Sequence, residues 1–373
     1  MRFLHTADWH IGRKLYGYDL AKEQEHDFAQ ITKIALERKV DAIVIAGDLY
    51  DRALPNEDSV NRLNKMIVEL NLKLKKPILA ISGNHDSAAR LNTGREWFKA
   101  TQYFLNTSIE EAMTPVEFSD TQFFLLPYFQ IFQARNFFAD ESLTDLTVAI
   151  RKIIEKMKEN FAVNKKHVLV AHFFAAGSTK TDSETKIEVG GLNAVPLDLL
   201  TDFDYVALGH LHDVNALHDE RIKYSGSLAK FSVSEAKSAK GVWIVDTEPF
   251  HSDFVAIKPL NDIVLLQDRY EKLISPSVYN EVNNEDFVAI TLTDRAVIPN
   301  VMNNLREFYP KIISLSREKQ IVDLPKNEDI VLELDPMRLL ENFFEDMTGE
   351  KITEQQKKWA SNSLERVIGG EAE

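Results

Sequence analysis

The chain has 373 residues, of which 44% are hydrophobic, no cysteine, and a formal net charge of -14. Without cysteine, disulfides, thiolate metal sites and cysteine nucleophiles are excluded, and a cytoplasmic protein is the expectation. No apolar run approaches the roughly 18–20 residues of a membrane span, the start Met1-Arg2-Phe3-Leu4-His5-Thr6 lacks a signal-peptide layout, and no membrane partner is expected.

The length suggests one large domain with a smaller one appended. In chain order, five short apolar segments read as buried strands: Phe3–Ala7, Asp41–Ala46, Pro77–Ser82, Val168–Ala171 and Tyr205–Leu208. Between them, apolar residues at helical spacing predict helices over Leu20–Arg38, Asp58–Lys75 and residues 142–160. Residues 115–128 and 220–257 read as consecutive strands and turns. Strand–helix alternation implies α/β layers. After Lys258-Pro259 the pattern changes to a small α+β module, with strands over Phe287–Leu292 and Lys311–Ser316 and a helix over Ile298–Phe308. After Asp335-Pro336 a helix carries Leu339, Leu340, Phe343 and Phe344, Thr348-Gly349-Glu350 breaks it, and Thr353–Val367 forms a second.

Each of the five strands ends in residues suited to chemistry. The ends are Asp8-Trp9-His10, Gly47-Asp48-Leu49-Tyr50-Asp51, Gly83-Asn84-His85-Asp86, Ala171-His172 and Gly209-His210-Leu211-His212. Alternate residues on extended chain share a face, so Asp8 and His10 can reach one ion, and His210 and His212 are again two candidate ligands at alternate spacing. Glycine lets the chain turn sharply before Asp48 and Asn84. A lone Asp or His at a strand end is more often a turn or capping residue. Five in order, all offering oxygen or imidazole nitrogen, point to a metal site suited to Mn, Fe or Zn more than Ca. Seven donors exceed the needs of one ion in an open site. Two ions about 3.5–4 Å apart, sharing a carboxylate, account for them, and such a pair generates hydroxide for in-line attack on phosphorus.

The net charge argues at first against a nucleic-acid partner, but it is unevenly spread. Residues 1–100 hold 16 Lys+Arg against 14 Asp+Glu, and residues 251–373 hold 14 against 23. Arg13, Lys14, Arg52 and Arg90 follow the metal motifs closely and are candidates to meet flanking phosphates. His5, His26, His167, His218 and His251 fall outside the series and are expected in packing or surface roles, with His5 and His167 as possible neighbours of the ligands.

The motif series resembles the calcineurin-like metallophosphoesterases. The stretches Phe3-Leu4-His5-Thr6-Ala7-Asp8-Trp9-His10-Ile11-Gly12 and Gly83-Asn84-His85-Asp86-Ser87 are similar to the SbcD-type nuclease subunits among them. The resemblance spans essentially the whole chain. It implies a four-layer α/β/β/α sandwich over residues 1–258, an α+β capping domain over 259–335, and partner-binding C-terminal helices over 336–373. It implies one ion, most often Mn, held by Asp8, His10, Asp48 and His212, and another held by Asp48, Asn84, His172 and His210. It makes His85 the residue that contacts the scissile phosphate and protonates the leaving oxygen, with Asp51 orienting it. It further implies DNA as substrate, double-strand 3′–5′ exonuclease and hairpin or single-strand endonuclease activity, an SbcC-type ATPase partner, and a homodimer using Asp58–Lys75 and Leu91–Phe98. The alternative is a phosphoesterase acting on a small-molecule or protein phosphoester, for which an appended module has no evident use.

Overall fold

The apolar runs become the strands of two sheets. In chain order they are β1 (Arg2–Thr6), β2 (Ala42–Ala46), β3 (Ile78–Ile81), β4 (Tyr103–Asn106), β5 (Val116–Phe118), β6 (Thr121–Leu125), β7 (Lys166–His172), β8 (Tyr205–Gly209), β9 (Ile222–Tyr224), β10 (Lys240–Thr247) and β11 (Phe250–Ile257). The computed structural model describes residues 1–118, 120–184, 194–294, 296–318, 336–348 and 351–368. Among these residues one sheet has six strands in the order β11-β10-β1-β2-β3-β4, and another has five in the order β9-β8-β7-β6-β5. β1 to β4 are parallel, with Phe3 opposite Ala42 and Ile43 opposite Ile78, and β10 pairs antiparallel to β1 with Arg2 opposite Asp246.

Strands covered on both faces read as unbroken apolar runs rather than alternating ones, and all five residues of β2 are buried. One core lies between the sheets, where Phe3, Val44, Leu79, Phe123, Val168 and Tyr205 meet. Two more cores lie outside. Helix α1 (Ala21–Glu37) and helix α2 (Glu57–Val68) cover the larger sheet through Phe28, Ile31, Leu63 and Met66. Helix α3 (Leu146–Lys158) covers the smaller one through Ile150, Ile153 and Met157. The result is an α/β/β/α sandwich. Each fully buried Phe or Leu contributes roughly 1.5–3 kcal/mol, so these three cores hold the strand ends in place.

β4 escaped the sequence reading, since four residues with alternating burial make a weak signal. The helix expected over Asp58–Lys75 begins at Glu57, where the Asn56 side chain accepts from Ser59 N, and continues past Val68 as a wider π turn over Glu69–Lys73.

The module after residue 258 is a three-stranded parallel sheet of β12 (Ile263–Asp268), β13 (Phe287–Leu292) and β14 (Ile312–Arg317), with short helical crossovers. β12 was not anticipated, because polar Gln267 and Asp268 and an exposed Leu265 blur its pattern. Ile263, Phe287, Ala289 and Ile313 pack with Leu15, Leu20, Ala229 and Phe231 of the sandwich. Residues 1–318 form one unit and 319–373 another. In the second unit, the helices Pro336–Thr348 and Glu354–Ile368 are joined by a Lys357–Glu341 ion pair of 2.9 Å, and Phe343 and Trp359 are exposed. The expected boundary at Asp335 and the break at Gly349-Glu350 lie outside the described residues, as does the side chain of Leu339.

Where the module meets the sandwich, a small cavity is lined by Glu23, Asp27, Lys240, Asn261 and Phe287. Asp27 is buried and its Oδ1 has no partner among the described residues. Burial, reinforced by Glu23 and opposed by Lys240, pushes its carboxyl up to about 8. A raised carboxylate favours the fold fully below the unfolded value near 4, and that contribution is lost as pH climbs through the folded value. Asp27→Asn is therefore expected to leave stability unchanged near pH 4 and to raise it by on the order of 2–4 kcal/mol at pH 8. Thermal melts of both proteins across this range check the sign. A constant difference at every pH would contradict it.

Candidate metal centre

The five strand ends meet at one edge of the sandwich. β1 and β2 keep their parallel pairing beyond the strands: Asp8 N donates to the Gly47 carbonyl (3.0 Å), His10 N to that of Asp48 (2.9 Å) and Ile11 N to that of Leu49 (3.0 Å). This extension brings Asp8, His10 and Asp48 out in register. Asp8 (φ 52°), His10 (44°), Asp48 (52°) and His210 (94°) all occupy the left-handed region. Non-glycine residues persist there, at about 1–3 kcal/mol each, only where their surroundings over-determine them. Here the hydrogen bonds do so, with His210 N donating to both Asp8 carboxylate oxygens at 3.0 Å.

Glycine acts at two of these ends by close approach. A Cβ on Gly83 would lie 2.1 Å from Asp48 Oδ1, and one on Gly209 would lie 2.0 Å from the Ala46 oxygen.

The donors form two overlapping groups. His10 Nε2 lies 3.1 Å from His212 Nε2 and 3.6 Å from Asp48 Oδ2. The ligand atoms of Asp8, His10 and His212 lie within 4.8 Å of one another, as do those of Asp8, Asp48 and His172, and a third group of His10, Asp51 and His85 adjoins them at the rim. His172 Nε2 lies 3.3 Å from Asp48 Oδ2 and 2.9 Å from Asn84 Oδ1, and His210 Nδ1 lies 3.1 Å from the same Asn84 oxygen. Asp48 stands between the groups. All seven residues expected as ligands are thus brought together.

The donor chemistry fits divalent cations. His172 Nδ1 is held on the Ala46 carbonyl at 2.8 Å. In the neutral ring Nε2 then presents a lone pair to two oxygen acceptors, an arrangement that a cation satisfies. Without one, burial disfavours a second proton on His172, but Asp48 outweighs it and raises the ring to about 9. Burial lowers His10, His210 (to about 3) and His212, keeping them in the neutral, ligating form. Burial pushes Asp8 upward. It acts upward on Asp48 too, but His172, followed by His10, holds that carboxyl well below its usual range.

His85 stands at the rim, half-buried, with its ring edge-on to His10 at 4.7 Å. Its main-chain N donates to Asp48 Oδ1 at 2.8 Å, and its Nδ1 to the main-chain oxygen of Asp51, also at 2.8 Å. Position 51 therefore reaches His85 through a backbone atom. The Asp51 carboxylate lies 3.5 Å from both Arg13 and Arg52, and 3.9 Å from His10 Nδ1.

Arg13 is largely covered. It donates to the Ser183 carbonyl at 2.7 Å and stacks over Phe231 at 4.9 Å. Lys14 and Arg52 are exposed, and Arg90 lines a groove beside α2. His5 is a packing residue between the sheets, paired with the Tyr205 hydroxyl at 3.0 Å, and His167 stacks on Phe161. Neither touches the donor cluster.

Sequence reasoning assigned no role to Asp86. Its carboxylate accepts from Leu49 N, Tyr50 N and Gly83 N, stapling the second strand end to the third. Burial, then Asp48, raises it to about 6. Its place on the turn that Gly83 opens was the available signal, its carboxylate reaching back three residues to the Gly83 N. Ser183, Glu184, Glu235 and Lys240, which surround His212, were also missed, and no spacing announces them.

Fold and donor set together define a divalent-metal-dependent phosphoesterase. Residues 1–214 match the calcineurin-like phosphoesterase family model, and residues 259–348 match the Type 5 capsule protein repressor C-terminal domain. The chain is 33% identical over 376 residues, 100% of both proteins, to the SbcD subunit of the SbcCD nuclease from Staphylococcus epidermidis. It belongs to the SbcD family of nuclease subunits within the calcineurin-like phosphoesterases. Among solved structures, TT1561 of Thermus thermophilus aligns with a TM-score of 0.42 at 12% identity, covering 69% of this chain and 99% of that one.

Proposed function

We propose that this chain hydrolyses DNA phosphodiesters with two bound Mn²⁺ ions, as the nuclease subunit of an SbcCD-type complex serving repair, recombination and replication in the cytoplasm. Duplex ends are degraded 3′–5′, and hairpins and single strands are cut internally. The observation that carries this reading is the convergence of seven oxygen and nitrogen donors from five strand ends, with His85 on their rim.

Asp8, His10, Asp48 and His212 would hold one ion, and Asp48, Asn84, His172 and His210 the other. When bound, the ions would supply a hydroxide nucleophile and neutralise charge developing on the phosphoryl oxygens. The Asp51 carbonyl holds the Nδ1 proton of His85, so Nε2 faces the scissile phosphate; the ring acts as the imidazolium, giving its Nε2 proton to the departing oxygen and ending as the neutral Nδ1–H tautomer. Arg13, Lys14, Arg52 and Arg90 receive flanking phosphates.

Residues 259–335 act as a cap. Phe231 supports this role, because it packs edge-on against both His10 and His212 and also within the cluster that seats the module. Residues 336–373 dock on an SbcC-type ATPase, in keeping with exposed Phe343 and Trp359. Val60, Leu72 and Trp97, exposed along one groove, support a homodimer there.

The test is cleavage of a blunt duplex and a hairpin, with and without Mn²⁺, beside a chromogenic phosphodiester. Mn²⁺-dependent cutting of both DNAs is expected. Turnover of the chromogenic ester alone would favour a small-molecule or protein phosphoester as substrate, and no turnover would indicate a scaffold.

A further inference from the structure

Behind His212 lies a charged pair that the reaction does not use. Glu235 and Lys240 are both buried, and Lys240 Nζ lies 2.6 Å from Glu235 Oε2. Such a pair is a poor way to fill a core. Its desolvation offsets its Coulomb energy, and apolar residues of the same size often serve stability as well or better. What singles this pair out is where its hydrogen bonds go.

Lys240 has three protons and three acceptors: Glu235 Oε2, Ser227 Oγ at 2.7 Å and the main-chain oxygen of His212 at 2.7 Å. Glu235 Oε1 accepts from the Ser183 hydroxyl, from Ser232 Oγ at 2.9 Å and from Phe231 N at 3.3 Å. The Ser183 oxygen in turn sits against His212 Nδ1. Because that hydroxyl donates to Glu235, its oxygen accepts from Nδ1–H of His212. The ring is thereby held in the tautomer whose Nε2 carries a lone pair, and Nε2 faces His10 Nε2 at 3.1 Å. One ion pair thus grips His212 twice, at its carbonyl and, through Ser183, at its ring.

We propose that Glu235 and Lys240, acting through Ser183, are positioning residues that set the orientation and tautomer of His212, and so the affinity of the half-site built from Asp8, His10 and His212. The proposal rests on His212 being a metal ligand. Groups of this kind behind a ligating histidine are worth about 10–100-fold in metal affinity.

The experiment titrates the full chain with Mn²⁺ alone, by calorimetry and by electron paramagnetic resonance. Its variants are Ser183→Ala, the apolar exchange Glu235→Met with Lys240→Met, and His212→Ala as control. Ser183→Ala leaves the ion pair intact, and the double exchange leaves no buried charge unpaired. Both are expected to melt near the parent without metal. Each is expected to bind one Mn²⁺ as the parent does and the other about 10–100-fold more weakly. At intermediate Mn²⁺ the spectrum should then show isolated ions instead of a coupled pair. A merely structural role would move the melting temperature and leave both affinities alone. Unchanged two-site binding in folded Ser183→Ala and in the double variant, with His212→Ala losing a site, would overturn the positioning role only. If His212→Ala itself keeps both sites, the ligand assignment falls and the proposal with it. Should the double variant fail to fold, Ser183→Ala decides alone.

Discussion

His85→Ala is expected to keep both ions and to lose about 10²–10⁴-fold in DNA cleavage, the range of a positioned general acid. The main-chain N of His85, not its ring, donates to Asp48 Oδ1, so the alanine variant retains that contact and the loop that carries it. One partner of the ring is the Asp51 main-chain oxygen, which any residue at position 85 leaves in place. The substitution thus removes a proton donor without removing a ligand. A chromogenic ester whose leaving group departs unprotonated should lose far less than DNA. Equal losses on both substrates, or metal analysis showing fewer bound ions, would refute the general-acid role.

Asp48→Asn is expected to cost more than His85→Ala, because one carboxylate serves both halves of the centre. Its Oδ2 lies 3.6 Å from His10 Nε2 and 3.3 Å from His172 Nε2. Asparagine keeps an oxygen for the His85 main-chain N but loses the charge that draws two cations together. The parent should gain about 2.7 kcal/mol of stability for each bound ion at Mn²⁺ concentrations a hundred times the Kd. The variant should gain almost nothing, while the metal-free protein still folds. Melting curves against Mn²⁺ concentration measure this. A full Mn²⁺-dependent rise in the variant would show that Asp48 does not bridge.

The strands that deliver the candidate ligands were legible because burial on both faces leaves unbroken apolar runs, as in Ala42–Ala46. The candidate ligands stood out because five such runs each end in Asp, Asn or His. β4 and β12 were not, since a short strand or a half-exposed one has too little period to stand out. The ligands' supports were illegible for a different reason. Ser183, Glu235 and Lys240 come from three separate loops and strand starts, and only the folded chain makes them neighbours of His212. The resemblance suggested Asp51 as the residue orienting His85; the hydrogen bond shown comes from its main-chain oxygen, and its carboxylate also lies within 4.8 Å of a His85 ring nitrogen.

The pairing of β1 also bears on how the protein is made. β1 leaves the ribosome before the strands that flank it, β2 and β10, and its edge toward β10 stays open until residues 240–247 are available. The two strand ends bearing Asp8 and His212 are likewise separated by some two hundred residues of synthesis. Contacts so distant in sequence form late. A nascent chain holding every early motif therefore has a scattered set of acids and histidines and no cutting centre, and hydrolytic power arrives only when the sandwich closes.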